Sequence, residues 1–96
     1  MAVLVPDDFA VRLLAAVDRE ITDGSLPDQA FHDAWSTMEG RPEGVGTNAA
    51  LVDLERRQWV RLTRTRVATD VVTVEPVLAE ILRAGREVLR RFRSDG

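Results

Sequence analysis

Cysteine, tyrosine and lysine are all missing from these 96 residues, and histidine occurs once. Without cysteine the chain forms no disulfide, offers no thiolate nucleophile and supplies no sulfur ligand to zinc. The solitary His32 lies four residues after Asp28, on one face of an expected helix, but two ligands do not make a metal site. Ser25, Ser36 and Ser94 stand in no nucleophile motif. Gly40, Gly44 and Gly46 lack the Gly-Lys-Ser/Thr ending and the preceding strand of a phosphate-binding loop. The expectation is a protein without enzymatic activity, metal or cofactor. Long apolar runs are missing too: none approaches the roughly 20 residues that cross a bilayer. The opening Met-Ala-Val-Leu-Val-Pro-Asp-Asp has no basic segment of the kind that begins a signal peptide. A cytoplasmic protein with no membrane partner is therefore expected.

What the chain does contain is an ordinary balance, 45% apolar and 30% charged residues, that suits one domain over 1–96 with a modest core. All thirteen of its cations are arginine, each a planar fork suited to phosphate, carboxylate or guanine edges. The net charge of −3 is unevenly spread. Residues 1–40 hold two arginines against eight acids, whereas residues 41–96 hold eleven against eight. A basic face on the C-terminal half is one reading of this asymmetry; two halves that attract each other is the other.

Local patterns divide the chain. Val3 and Val5 read as a short edge strand or as core residues. Pro6, Asp7 and Asp8 suit a helix start, and Phe9, Leu13, Ala16, Val17 and Ile21 keep helical spacing up to Asp-Gly-Ser at 23–25. A second helix is expected after Leu26-Pro27, with Asp28 near its positive end and Ala30, Phe31, Ala34, Trp35 and Met38 on its buried face. Three glycines and a proline make 39–46 a loop. A third helix opens at Thr47 or Asn48, either of which suits a cap, and sets Ala50, Leu51, Leu54 and Gln58 on one face. Near Gln58 the period falls to two, so that Trp59–Arg64 and Asp70–Glu75 read as a two-stranded ribbon with its tip at 65–69. Pro76 then starts a last helix over 77–93, striped by Leu78, Ile81, Leu82, Gly85, Val88, Leu89 and Phe92. Gly85 within that stripe suggests close approach of another backbone.

Leu51-Val-Asp-Leu-Glu-Arg-Arg-Gln-Trp-Val, followed by a ribbon and by Ala84-Gly-Arg-Glu-Val-Leu, resembles the C-terminal half of MarR- or PadR-type winged helix-turn-helix regulators, over about residues 46–91. Gln58 stands where those families usually place glycine. The resemblance implies an α+β, mostly helical fold: three helices, a two-stranded β-ribbon and a long C-terminal helix. It implies a bacterial transcriptional regulator that binds double-stranded DNA as a homodimer. In such docking Thr47, Asn48 and Arg56 would meet base edges, while Arg61, Arg64 and Arg66 would lie along phosphates or enter the minor groove. The dimer interface would be Leu78, Ile81, Leu82, Gly85, Val88, Leu89 and Phe92; packing of that helix on its own core is the alternative. Asp53 and Glu55 would repel phosphate unless turned toward Arg56, Arg57 or a neighbouring helix. The competing function is a winged-helix adaptor that binds a protein partner through the ribbon or the helix-2 face and leaves exposed an apolar patch including Trp35 or Trp59, or a structural subunit whose last helix binds a different chain.

Overall fold

The computed structural model describes residues 5–68 and 72–95, with side chains described for 5–65 and 74–94. Its elements run α1 (Asp7–Thr22), α2 (Pro27–Thr37), α3 (Thr47–Arg56), β1 (Val60–Ala68), β2 (Val72–Ile81) and α4 (Arg83–Asp95). Among the described residues, four helices and one two-stranded antiparallel sheet thus make the α+β fold expected from the sequence. No helix among the described residues is long and apolar enough to cross a membrane.

The first two helices form where their patterns place them. Pro6 precedes α1, Asp7 and Asp8 occupy its first turn, and Phe9, Ala10, Leu13, Leu14 and Val17 are buried. Pro27 opens α2, where a missing N–H leaves no bond unmade. Phe31 is fully buried beside Trp35, with ring centroids 6.3 Å apart, and Phe9 meets Trp35 edge-on at 6.0 Å. These aromatics join α1 to α2 and remove the largest blocks of apolar surface from water, roughly 1.5–3 kcal/mol for each buried side chain. Val5 is buried but outside regular structure, and Val3 lies outside the described residues.

The cap of α3 differs from expectation. Gly46 holds the N-cap position without a side-chain bond, so neither Thr47 nor Asn48 caps the helix. Both already belong to its first turn. At the other end, Trp59 N–H donates to the Leu54 carbonyl (3.2 Å) and Gln58 N–H to the Glu55 carbonyl (2.9 Å). That pair of bonds is a Schellman motif, which needs a left-handed residue between helix and strand. Gln58 fills the place with φ at 64°. A side chain in this conformation costs about 1–2 kcal/mol. Gln58→Gly is therefore expected to raise unfolding free energy by about 1 kcal/mol, as urea denaturation would read it; a loss would mean that the exposed Gln58 side chain contributes something its conformation hides.

The ribbon is longer than the sequence pattern suggests. Strand pairing continues from Val60↔Ile81 out to Ala68↔Val72, so residues 65–68, expected in the tip, are paired strand; residues 69–71 are outside the described ones. Pro76 does not begin a helix but sits within β2 opposite Arg64. Each strand of a two-stranded ribbon has an open edge, where a residue lacking an N–H is tolerated. The register shifts by one residue beside Arg61 and Leu62: Arg61 pairs with Glu80 and Leu62 with Leu78, leaving Ala79 unopposed. This bulge turns Leu78 and Ile81, three residues apart, onto the same buried face as Val60 and Leu62. On the outer edge of β2 the Asp28 carboxylate accepts the Leu78 N–H at 3.1 Å, joining α2 to the ribbon.

The last helix begins at Arg83, six residues later than expected, because β2 runs to Ile81. The supposed dimer stripe is thereby divided. Leu78 and Ile81 belong to the strand; Gly85 and Leu89 are buried in α4 against the chain's own core. None of the four is available to a second copy. Leu82 and Val88 are half-buried, and only Phe92 is substantially exposed. A Cβ at Gly85 would lie 2.4 Å from the Trp59 carbonyl oxygen, so another backbone does approach closely there.

Candidate functional site

An open groove of about 420 Å³ lies between the outer face of α3 and the ribbon. Asn48, Val52 and Arg56 reach it from α3, four residues apart on one face, opposite the buried Ala50, Leu51 and Leu54. Arg64 enters from β1, and Val74 and Pro76 from β2. Arg64 is there because of strand alternation: it shares a ribbon face with the buried Val60 and Leu62, beyond the point where they meet the core.

The same alternation separates two arginines that sequence position alone groups together. Arg61 points from the opposite ribbon face, where its Nε donates to Glu80 Oε1 at 3.2 Å across the strand pair. It does not line the groove. Thr47, half-buried at the start of α3, does not line it either. The Arg66 side chain is outside the described residues. Of the six expected site residues, Asn48, Arg56 and Arg64 are brought together.

Their electrostatics are unequal. Arg56 is exposed and makes no ion pair among the described residues. Arg64 instead meets Glu55 of α3 fork to fork, donating from Nη1 to Oε2 at 3.1 Å and from Nη2 to Oε1 at 2.9 Å. These bonds hold the Glu55 carboxyl below its ordinary pKa and push the Arg64 guanidinium above its own. Because the folded-state value of Glu55 is depressed, the pair's contribution is present above the ordinary carboxylate range. It is lost only as pH falls through the lowered value, so the pair is closed at neutral pH.

Arg57 has a structural role that local sequence patterns did not reveal. It donates to Asp53 at 2.8 Å, to Asp7 at 2.7 Å and to the Val5 carbonyl at 2.9 Å, and its guanidinium lies 5.1 Å from the Trp59 ring centroid. Burial works against its charge, but the bonds to Asp53 and then Asp7 raise its proton affinity overall. One consequence reaches the groove: Asp53 is turned toward Arg57 and is neutralised there. Asp53 is thus turned, as expected, toward Arg57 at the helix's C-cap, whereas Glu55 turns to Arg64 of the ribbon rather than to Arg56, Arg57 or a neighbouring helix.

His32 is an exposed side chain 3.4 Å from Asp28, whose other carboxylate oxygen holds the Leu78 amide. Among the described residues no cluster of three or more histidine and carboxylate side chains is placed to hold a metal ion.

A second, more apolar groove of about 430 Å³ lies on the far side, between α1 and α4. Val11, Trp59, Val88 and Phe92 line it, together with Arg91 and the paired Asp7 and Arg57. Trp59 is half-buried, whereas Trp35 is only 7% exposed and belongs to the core. Trp35 therefore cannot form part of a docking patch.

Comparison with known proteins returned no match: no protein-family model, no curated protein and no solved structure is significantly similar to this chain.

Proposed function

We propose that this chain is a winged-helix protein that binds double-stranded DNA and regulates transcription by occupying an operator. One observation carries the reading: Asn48, Arg56 and Arg64 converge on a single groove between an exposed helix face and a projecting ribbon. A helix of this kind fits the major groove, with the ribbon beside it over the sugar-phosphate backbone. Near the start of α3, Asn48 presents an amide suited to the adenine edge. Arg56, eight residues on, presents a free fork to guanine or phosphate. Arg64 faces phosphate from the ribbon. Residues 47–68 hold five arginines against two acids, a local excess that the overall charge hides.

Fluorescence anisotropy with a generic GC-rich duplex, at low and at moderate salt, tests the proposal. Saturable binding that weakens steeply with salt supports it, since released counterions report neutralised phosphates. No binding even at low salt overturns it and leaves a protein-binding adaptor as the better account.

The exposed Phe92 beside Trp59, Val88 and Val11 favours an additional reading, a homodimer formed on the α1–α4 groove. A two-fold axis through that groove sets the same apolar residues of both copies against each other. Phe92→Glu places a charge in that seam. In sedimentation equilibrium the wild type is expected to be dimeric at micromolar concentration and the variant monomeric; a wild type monomeric throughout removes the dimer from the proposal.

A further inference from the structure

The forked contact between Glu55 and Arg64 uses the geometry by which an arginine holds a phosphate: two parallel N–H donors meeting two anionic oxygens. Glu55 belongs to α3 and Arg64 to the ribbon, so the pair bridges the two elements that wall the groove; Arg64 lines the groove and Glu55 stands beside it. Both side chains are accessible, with 33% of Glu55 and 48% of Arg64 exposed. An entering phosphate can therefore reach Arg64 without the core being opened. The carboxylate that does line this groove, Asp53, is held by Arg57 and does not compete for Arg64.

Resting on the DNA-binding reading, we infer that Glu55 is a specificity-determining residue: its carboxylate occupies the Arg64 fork in place of a phosphate and suppresses sequence-blind binding. Arg64 contributes to a complex only when phosphate displaces Glu55, an exchange of one charge-assisted fork for another with little net gain. The freed carboxylate then stands close to the duplex and repels it unless a base-edge donor, such as the cytosine amino group, is opposite. A site without that donor opposite Glu55 offers only the exchange, whereas a matched site offers both. Glu55 thereby penalises wrong sequences more than it penalises the right one, which is how discrimination is built from a repulsive element.

The experiment compares wild type, Glu55→Gln, Arg64→Ala and the double variant by anisotropy on a generic duplex across a salt series. Glu55→Gln keeps the side-chain shape but frees the fork. It is expected to bind about tenfold tighter at low salt, with the slope of log affinity against log salt steeper by about 0.9, the mark of one added phosphate contact. In the Arg64→Ala background the same change should leave the slope where it was. If Glu55→Gln tightens binding with no change in slope, Glu55 acts by charge repulsion alone and the occupied-fork inference fails while DNA binding stands. Wild-type binding that Glu55→Gln leaves untouched overturns the inference in the same way. If none of the four proteins binds at low salt, the DNA-binding reading itself fails, and this inference with it. Circular dichroism of each variant establishes that the fold persists.

Discussion

Gly85→Ala is expected to lower unfolding free energy by about 3 kcal/mol, although alanine is the better helix former by about 1 kcal/mol. The added methyl would lie 2.4 Å from the Trp59 carbonyl oxygen and 2.9 Å from Ile81 Cγ2. The nearer neighbour is backbone and cannot swing away as a side-chain tip can. That oxygen also accepts the Leu82 N–H at 2.8 Å, the bond that turns the chain from β2 into α4. Relief of the clash must either stretch this bond or lift α4 from the core, taking Leu89 with it. For a domain of this size the loss corresponds to a fall in Tm of roughly 15 °C, readable by scanning calorimetry. A rise in Tm would mean that helix propensity prevails and that α4 does not press on the Trp59 backbone.

Arg56→Ala/Arg64→Ala is expected to reduce affinity for a generic duplex about 100-fold at low salt and to flatten the salt slope by about 1 unit, the phosphate contact of Arg56, because Glu55 already holds the Arg64 fork. The first substitution removes a free cation from α3. The second leaves Glu55 unpaired beside the groove, where its charge opposes phosphate. Arg61→Ala is the informative control. From its position in the sequence it should matter as much as Arg64, yet it lies on the other ribbon face, joined to Glu80. It is expected to change neither affinity nor slope by more than about twofold, within the small effects usual for exposed surface pairs. Equal losses from Arg61 and Arg64 would place the duplex along the ribbon edge rather than in the groove.

Much of this architecture is written in short-range chemistry. A 3.6-residue apolar repeat, with proline and aspartate at the entry, marks α1 and α2 regardless of what they later touch. The glycines at 40, 44 and 46 mark the loop before α3, and alternating β-branched residues mark the ribbon. Gly85 was legible as a point of close approach, because a glycine inside an apolar helix stripe needs a steric reason. Its neighbour, the Trp59 carbonyl, comes from a part of the chain 26 residues earlier and has no local signature.

Three features were decided by tertiary structure. Leu78, Ile81 and Leu82 have helical spacing, and a strand without a bulge would send Leu78 and Ile81 to opposite faces. The unopposed Ala79 removes that conflict, and strand pairing with β1, a long-range interaction, holds the segment extended. The grouping of arginines was settled by which ribbon face meets α3: a one-residue difference in alternation separates Arg61 from Arg64. Finally, Glu55 and Arg64 are nine residues apart across a helix end and a left-handed turn, a spacing that matches no helix or strand period. Residue identities alone therefore determined which elements form and where charge accumulates. Which charges face one another, and which apolar stripe is consumed by the core, depended on how those elements pack, because the partners are supplied by distant parts of the chain.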